Sequence, residues 1–161
     1  MSDIKTRLWK QLQDTLALQM EGWDRSVRSA HEEAIHEQSK SEGKYDTRAT
    51  EASYLAEGQA RQAAELARAA LQLADFVSPD FGPGDPIALG ALVLVQGARE
   101  SAWHWMVPCA GGTELTWEQE KVLVLTPQSP LGQQLMGRKV SDRFTLVLGR
   151  EKAVFTIARV L

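Results

Sequence analysis

Cysteine is nearly absent. Cys109 stands alone, so the chain can form neither an internal disulfide nor a CxxC pair or zinc ribbon. A reducing compartment fits that usage. Long apolar runs are missing too. None approaches the roughly 20 residues needed to span a bilayer. The stretch MSDIKTRLWK is charged and has no apolar centre, so no signal peptide is expected. A surplus of one charge is also lacking, the net charge being -3. Non-specific duplex DNA binding needs a broad basic surface, so that role is not expected, although a local basic patch is compatible with the total. What is present is an ordinary hydrophobic share, 43%, which argues against wholesale disorder. A soluble cytoplasmic protein of one domain, or two small ones, is the expectation.

The first half has helical periodicity. Ile4, Leu8, Leu12, Leu16, Met20, Trp23, Val27, Ala30 and Ala34 recur at steps of three or four. They draw one apolar stripe along a helix from about Asp3 to about Gln38. No proline interrupts it, and at 1.5 Å per residue it is roughly 50 Å long. A second stripe, Ala49, Ala52, Ala56, Ala60, Ala63, Leu66, Ala70 and Leu73, places a helix from about Thr47 to Ala74. Leu55 and Leu71 widen that stripe, and Asp46 or Thr47 suits its N-cap. Between the helices lies SKSEGKYDTR, residues 39–48, with acids, bases, one glycine and one tyrosine. Two long helices joined by a short polar loop fold back antiparallel. A helical hairpin over residues 1–76 is therefore expected, with the small alanines of the second helix admitting close packing.

VSPDFGPGDP, Val77 to Pro86, reads as a linker. Residues 87–161 then change period. ALVLVQ, AWHWMVPC, KVLVLTP, RFTLVL and AVFTIARVL are short, β-branched or aromatic-rich, and bounded by turn residues. In AWHWMV, Trp103 and Trp105 share one face, and His104 and Met106 the other. One short helix, SPLGQQLMG, interrupts the strands. Ser129 can cap it, Pro130 suits its first position and Gly137 its stop. Leu131, Leu135 and Met136 are expected to bury. The fold class is α+β, a helical hairpin followed by a small, mostly antiparallel β domain with one short helix.

TPQSPLGQQLMGRKVSDRFTL followed by FTIARVL resembles the C-terminal signature of the Gre-type transcript cleavage factors, GreA and GreB. In that family a Ser-Pro-Leu-Gly stretch opens a short helix, a basic turn ending in Gly-Asp follows, and a last strand ends the chain. Ser129, Pro130, Leu131, Gly132, Gly137, Arg138, Lys139 and Asp142 match, while Ser141 stands where glycine is usual. The order of hairpin, linker and FKBP-like sheet domain agrees along the chain, the helical half by pattern more than by identity. The resemblance implies an effector of bacterial RNA polymerase and not an enzyme in its own right. The sheet domain would dock at the rim of the secondary channel, through Ser129, Pro130 and Leu131. The hairpin would enter the channel and bring its tip to the active site and the 3′ end of the nascent RNA. The tip acids would then assist a magnesium ion of the polymerase in cleaving backtracked RNA. Two metals acting on one in-line displacement need hard oxygen ligands. No stably bound metal of the protein's own, no membrane partner and no sequence-specific DNA partner are implied.

Counting back without gaps from Ala64–Leu66, the family's tip Asp position falls on Glu42. Its Glu position falls on Tyr45 and its Asn position on Asp46. Glu42 and Asp46 are thus the acids expected to assist, with Lys40, Lys44, Tyr45 and Arg48 as tip contacts to RNA or polymerase. Two outcomes stay open within the resemblance: stimulation of cleavage, and occupation of the channel without cleavage. An FKBP-like prolyl isomerase or chaperone and a coiled-coil scaffold are the readings from other classes. HEEAIH does not make a metalloprotease motif, since His31 and His36 are five apart where one helix face needs four. Cys109 is expected to be a buried thiol, and Trp103, Trp105 and Trp117 core or domain-interface aromatics.

Overall fold

The computed structural model describes residues 2–38, 47–82, 84–98, 100–149 and 151–161. Helix α1 spans Asp3–Gln38 and α2 spans Thr47–Ala74. The strands are β1 Leu92–Gln96, β2 Ser101–Met106, β3 Glu114–Trp117, β4 Glu120–Leu125, β5 Arg143–Leu148 and β6 Glu151–Val160; α3, Pro130–Leu135, lies between β4 and β5. The result is a helical hairpin followed by a mixed sheet with one short helix. Two compact units form, Gln13–Leu71 and Met1–Leu12 together with Gln72–Leu161.

The sheet has six strands in the order β3-β4-β2-β1-β6-β5. All pairs are antiparallel except β2 with β4, which run parallel from Trp103↔Val122 to Met106↔Leu125. The sheet is thus mostly antiparallel, as expected, and the parallel pair is the part that the strand pattern alone does not give. The cause lies in β3, ELTW, which the sequence reading did not separate as a strand. The chain reverses between β2 and β3 and again between β3 and β4, so β4 recovers the direction of β2. It then lies beside β2, leaving β3 at the edge. The second reversal turns on Glu118, whose φ is 56°, and the first passes Ala110 and Gly112 at φ 60° and 90°.

Strand alternation divides the core. Val93, Val95, Met106, Leu125, Phe144 and Ile157 form one cluster with Leu135 of α3. On the opposite face Trp105 is fully buried and meets Trp9 of α1 edge-on, with ring centroids 6.0 Å apart. Trp103 and Trp117 make a similar contact at 5.3 Å. The first turns of α1 therefore belong to the sheet's unit. Gln11 exchanges two hydrogen bonds with the backbone of edge residue Thr116, at 2.8 and 3.0 Å. Lys5, buried, donates to the Pro79 carbonyl and lies 4.8 Å from the Phe81 ring centroid. Its desolvation lowers the ammonium pKa, and the nearby Asp80 charge opposes that shift.

The segment after α2 is tied into the same unit. Ser78 donates to the Gly90 carbonyl at 2.9 Å, and the Trp105 indole shares that acceptor at 3.3 Å. Gly90 has φ +94°, and a Cβ there would stand 2.4 Å from Pro79 Cδ, so no other residue fits the approach.

Burial along the hairpin departs from the sequence expectation. Leu8, Leu12, Leu16 and Leu73 are buried, but Met20 and Val27 are exposed, as are Leu55 and Leu71. Trp23, Ala63, Leu66 and Ala70 are half-buried. A regular apolar stripe fixes which side chains share a helix face, not how much mass lies opposite.

Candidate functional site

The motif Ser129–Asp142 is fully described and forms a hydrogen-bonded platform. Ser129 is the N-cap of α3: its Oγ accepts from the Gly132 N–H at 3.0 Å and donates to the Thr126 carbonyl at 2.8 Å. Pro130, exposed, occupies the first turn, where a missing N–H costs nothing. Leu131 is half-buried and packs on the main core cluster, and Leu135 is buried within it. Met136, expected to bury, is 37% exposed. It ends the helix, and Gly137 at φ +78° turns the chain away.

Gly132 is the most constrained residue of the motif. A Cβ at this position would stand 2.0 Å from the Thr126 carbonyl oxygen and 2.8 Å from Ser129 Oγ. The glycine is what lets the helix close onto the turn that precedes it. Ser129 and Gly132 thus act as a pair, one holding Thr126 and the other making room for it.

After α3 the chain is pinned to the sheet's unit. Gly137 N–H donates to the Ile87 carbonyl and Ile87 N–H to the Arg138 carbonyl, both at 2.8 Å. The Arg138 guanidinium donates to the Gln134 carbonyl and Oε1 and to the Arg143 carbonyl, and lies 5.7 Å from the Phe144 ring centroid. Asp142 Oδ2 accepts from the Lys139 N–H at 2.8 Å, closing a tight turn. Ser141 in that turn has φ 73°, which explains on backbone grounds why a glycine suits the position.

The residues expected at the hairpin tip, Lys40, Glu42, Lys44, Tyr45 and Asp46, lie outside the described residues. Arg48 is in the first turn of α2, its side chain outside the described set, and His31 and His36 are in α1 on the same terms. The structure therefore assembles Ser129, Pro130 and Leu131 into one surface and leaves the tip as a matter of sequence. Among the described residues no three His, Cys, Asp or Glu side chains gather as metal ligands.

Two buried groups escaped sequence reasoning. His104, in the sheet centre between Val93 and Leu123, is 8% exposed, and its Nδ1 has no hydrogen-bond partner among the described residues. Burial pushes its pKa down to about 4. Alternation placed it opposite the tryptophans, but nothing in the sequence said that both faces are covered. Lys5 is the other; a lysine at the third position of an amphipathic helix gives no sign of its carbonyl partner. Cys109 is half-buried, not buried as expected, and desolvation raises its thiol pKa.

No protein-family model matches the chain, and no curated protein does. Solved structures do. The chain is similar to Gfh1 of Thermus aquaticus, with 20% identity, 91% of this chain and 92% of that one covered, and a TM-score of 0.41. It is similar to GreA factor homolog 1 of Thermus thermophilus, with 19% identity, 92% and 94% covered, and a TM-score of 0.39. It is also similar to a transcription elongation factor GreA/GreB from Nitrosomonas europaea, with 21% identity, 64% and 78% covered, and a TM-score of 0.38.

Proposed function

We propose that this protein binds bacterial RNA polymerase at its secondary channel and regulates it by occupying the channel, without stimulating transcript cleavage. The observation that carries the reading is the Ser129–Asp142 motif. Its residues and spacings coincide with the Gre-type signature, and each has a defined place in the platform: cap, first turn, close approach, stop and basic turn. The long hairpin supplies the reach such a role requires. In this reading Ser129, Pro130 and Leu131 contribute to docking, and residues 39–48 form the tip.

The tip favours occupation over cleavage. Tyr45 stands where the family carries its Glu, and the acid moves to Asp46. Holding a catalytic magnesium takes one or two carboxylate oxygens at about 2.0–2.1 Å in near-octahedral geometry. A phenol in place of a carboxylate removes a charge and a hard ligand. A cleavage stimulator is the second reading, kept because Glu42 and Asp46 both lie in the short tip segment. It would share the polymerase's Mg2+ and bring none of its own.

RNA cleavage in purified, backtracked elongation complexes separates the two. The proposal expects polymerase binding with no shortening of the RNA, and the same result for Glu42→Ala with Asp46→Ala. RNA shortening that the double substitution abolishes would install the second reading. No binding at all would overturn both.

A further inference from the structure

The sheet face that carries Trp103 and Trp105 is covered at one end by the first turns of α1. Its other end, across β6 and β5, is open. Register places Lys152 beside Val147, Val154 beside Thr145, and Thr156 beside Arg143 on this face. Past the irregularity in the β1–β6 pairing, Arg159 joins them beside Leu94. Val147 is 66% exposed and Val154 59%, and Arg143, Lys152 and Arg159 are exposed as well. In a chain of net charge -3, this half-face holds three cations and, among the described residues, no carboxylate. Lys152 and Arg159 stand on β6 roughly 20 Å apart with Val154 between them, and Arg143 and Val147 lie on the neighbouring β5.

We propose that this open half-face is a second docking surface, for an acidic protein segment of RNA polymerase. It is distinct from the α3 platform, which packs on the opposite face of the sheet with Leu131 and Leu135. The inference rests on the proposed polymerase binding and adds the contact chemistry. Single-sign charge, with no Asp or Glu side chain among the described residues of this half-face, selects an anionic partner. Two exposed valines beside the cations favour a protein over nucleic acid, since phosphate backbones offer nothing for them to bury against. Exposed apolar side chains rimmed by charge match the make-up of protein interfaces.

The test uses the full chain, purified core RNA polymerase and a carbodiimide, which joins an amine to a carboxylate in direct contact. Lys152 is expected to couple to Asp or Glu residues clustered in one polymerase segment. Arg143→Glu, Lys152→Glu and Arg159→Glu together are expected to weaken polymerase binding roughly tenfold or more and to flatten its salt dependence. The three sites are exposed, so an unchanged circular dichroism melt confirms that the variant folds. Wild-type binding with no Lys152 coupling, and equal affinity of the triple variant, overturns the second surface and leaves the proposed function standing. A loss of affinity seen only with a nucleic-acid scaffold present makes the face a nucleic-acid surface and overturns it too. Failure of the wild type to bind polymerase overturns both proposals.

Discussion

At the residue scale the platform depends on side chains smaller than their neighbours demand. Gly132→Ala places a methyl carbon where the Thr126 carbonyl oxygen already stands. The cap must open, and a loss on the order of 2 kcal/mol or more is expected in denaturant unfolding. Ser129→Ala removes the cap but leaves the space, and about 1 kcal/mol is expected. Ser141→Gly is expected to stabilise by roughly 1 kcal/mol, because serine at φ 73° meets the left-handed penalty that glycine avoids. The cap and the stop of α3 were legible from Ser129, Pro130 and Gly137. The reason for Gly132 was not, because it depends on a carbonyl six residues earlier that returns only in three dimensions. His104 gives a pH prediction. Its folded pKa of about 4 lies below the ordinary histidine value of 6.5, so between these pH values the unfolded chain binds the extra proton. Stability is therefore full above pH 6.5 and falls as pH drops toward 4, by roughly 3 kcal/mol from this group. His104→Leu should flatten that part of the melting-temperature profile. An unchanged profile would show that the imidazole finds water or a partner.

At the element scale the helices were legible and their burial was not. The stripes fixed α1 at Asp3–Gln38 and α2 at Thr47–Ala74 because a 3.6-residue period is readable over many turns. Burial depends on what lies opposite the stripe, which the stripe itself does not state. Leu8, Leu12, Leu16 and Leu73 are shielded, whereas Met20 and Val27 remain open. Local stability follows buried contacts. Amide hydrogen exchange in the free protein is therefore expected to slow around Leu12 and Leu16 and to quicken progressively toward Arg28. Uniform protection along α1 would contradict this gradient. One strand of the sheet, β3, was not legible for a related reason. ELTW holds a single buried residue, Leu115, so it carried too little alternation to stand out, and missing it hid the parallel β2–β4 pair.

At the scale of the whole molecule, the α+β class and the order of hairpin before sheet were legible because the periodicity changes once, near Val77. The proposed function rests on the motif of Ser129–Asp142, a short run with well-defined spacings. The chemistry at the tip was not legible, since six tip residues decide it and their ligating geometry depends on the turn. The proposed function sets residues 39–48 beside the polymerase active centre. Its most direct test replaces the active-centre Mg2+ of purified RNA polymerase with Fe2+, which releases hydroxyl radicals there and cuts any polypeptide nearby. With the end-labelled protein bound, cutting confined to the segment between α1 and α2 is the predicted result. Binding without any cut in that segment would contradict the account.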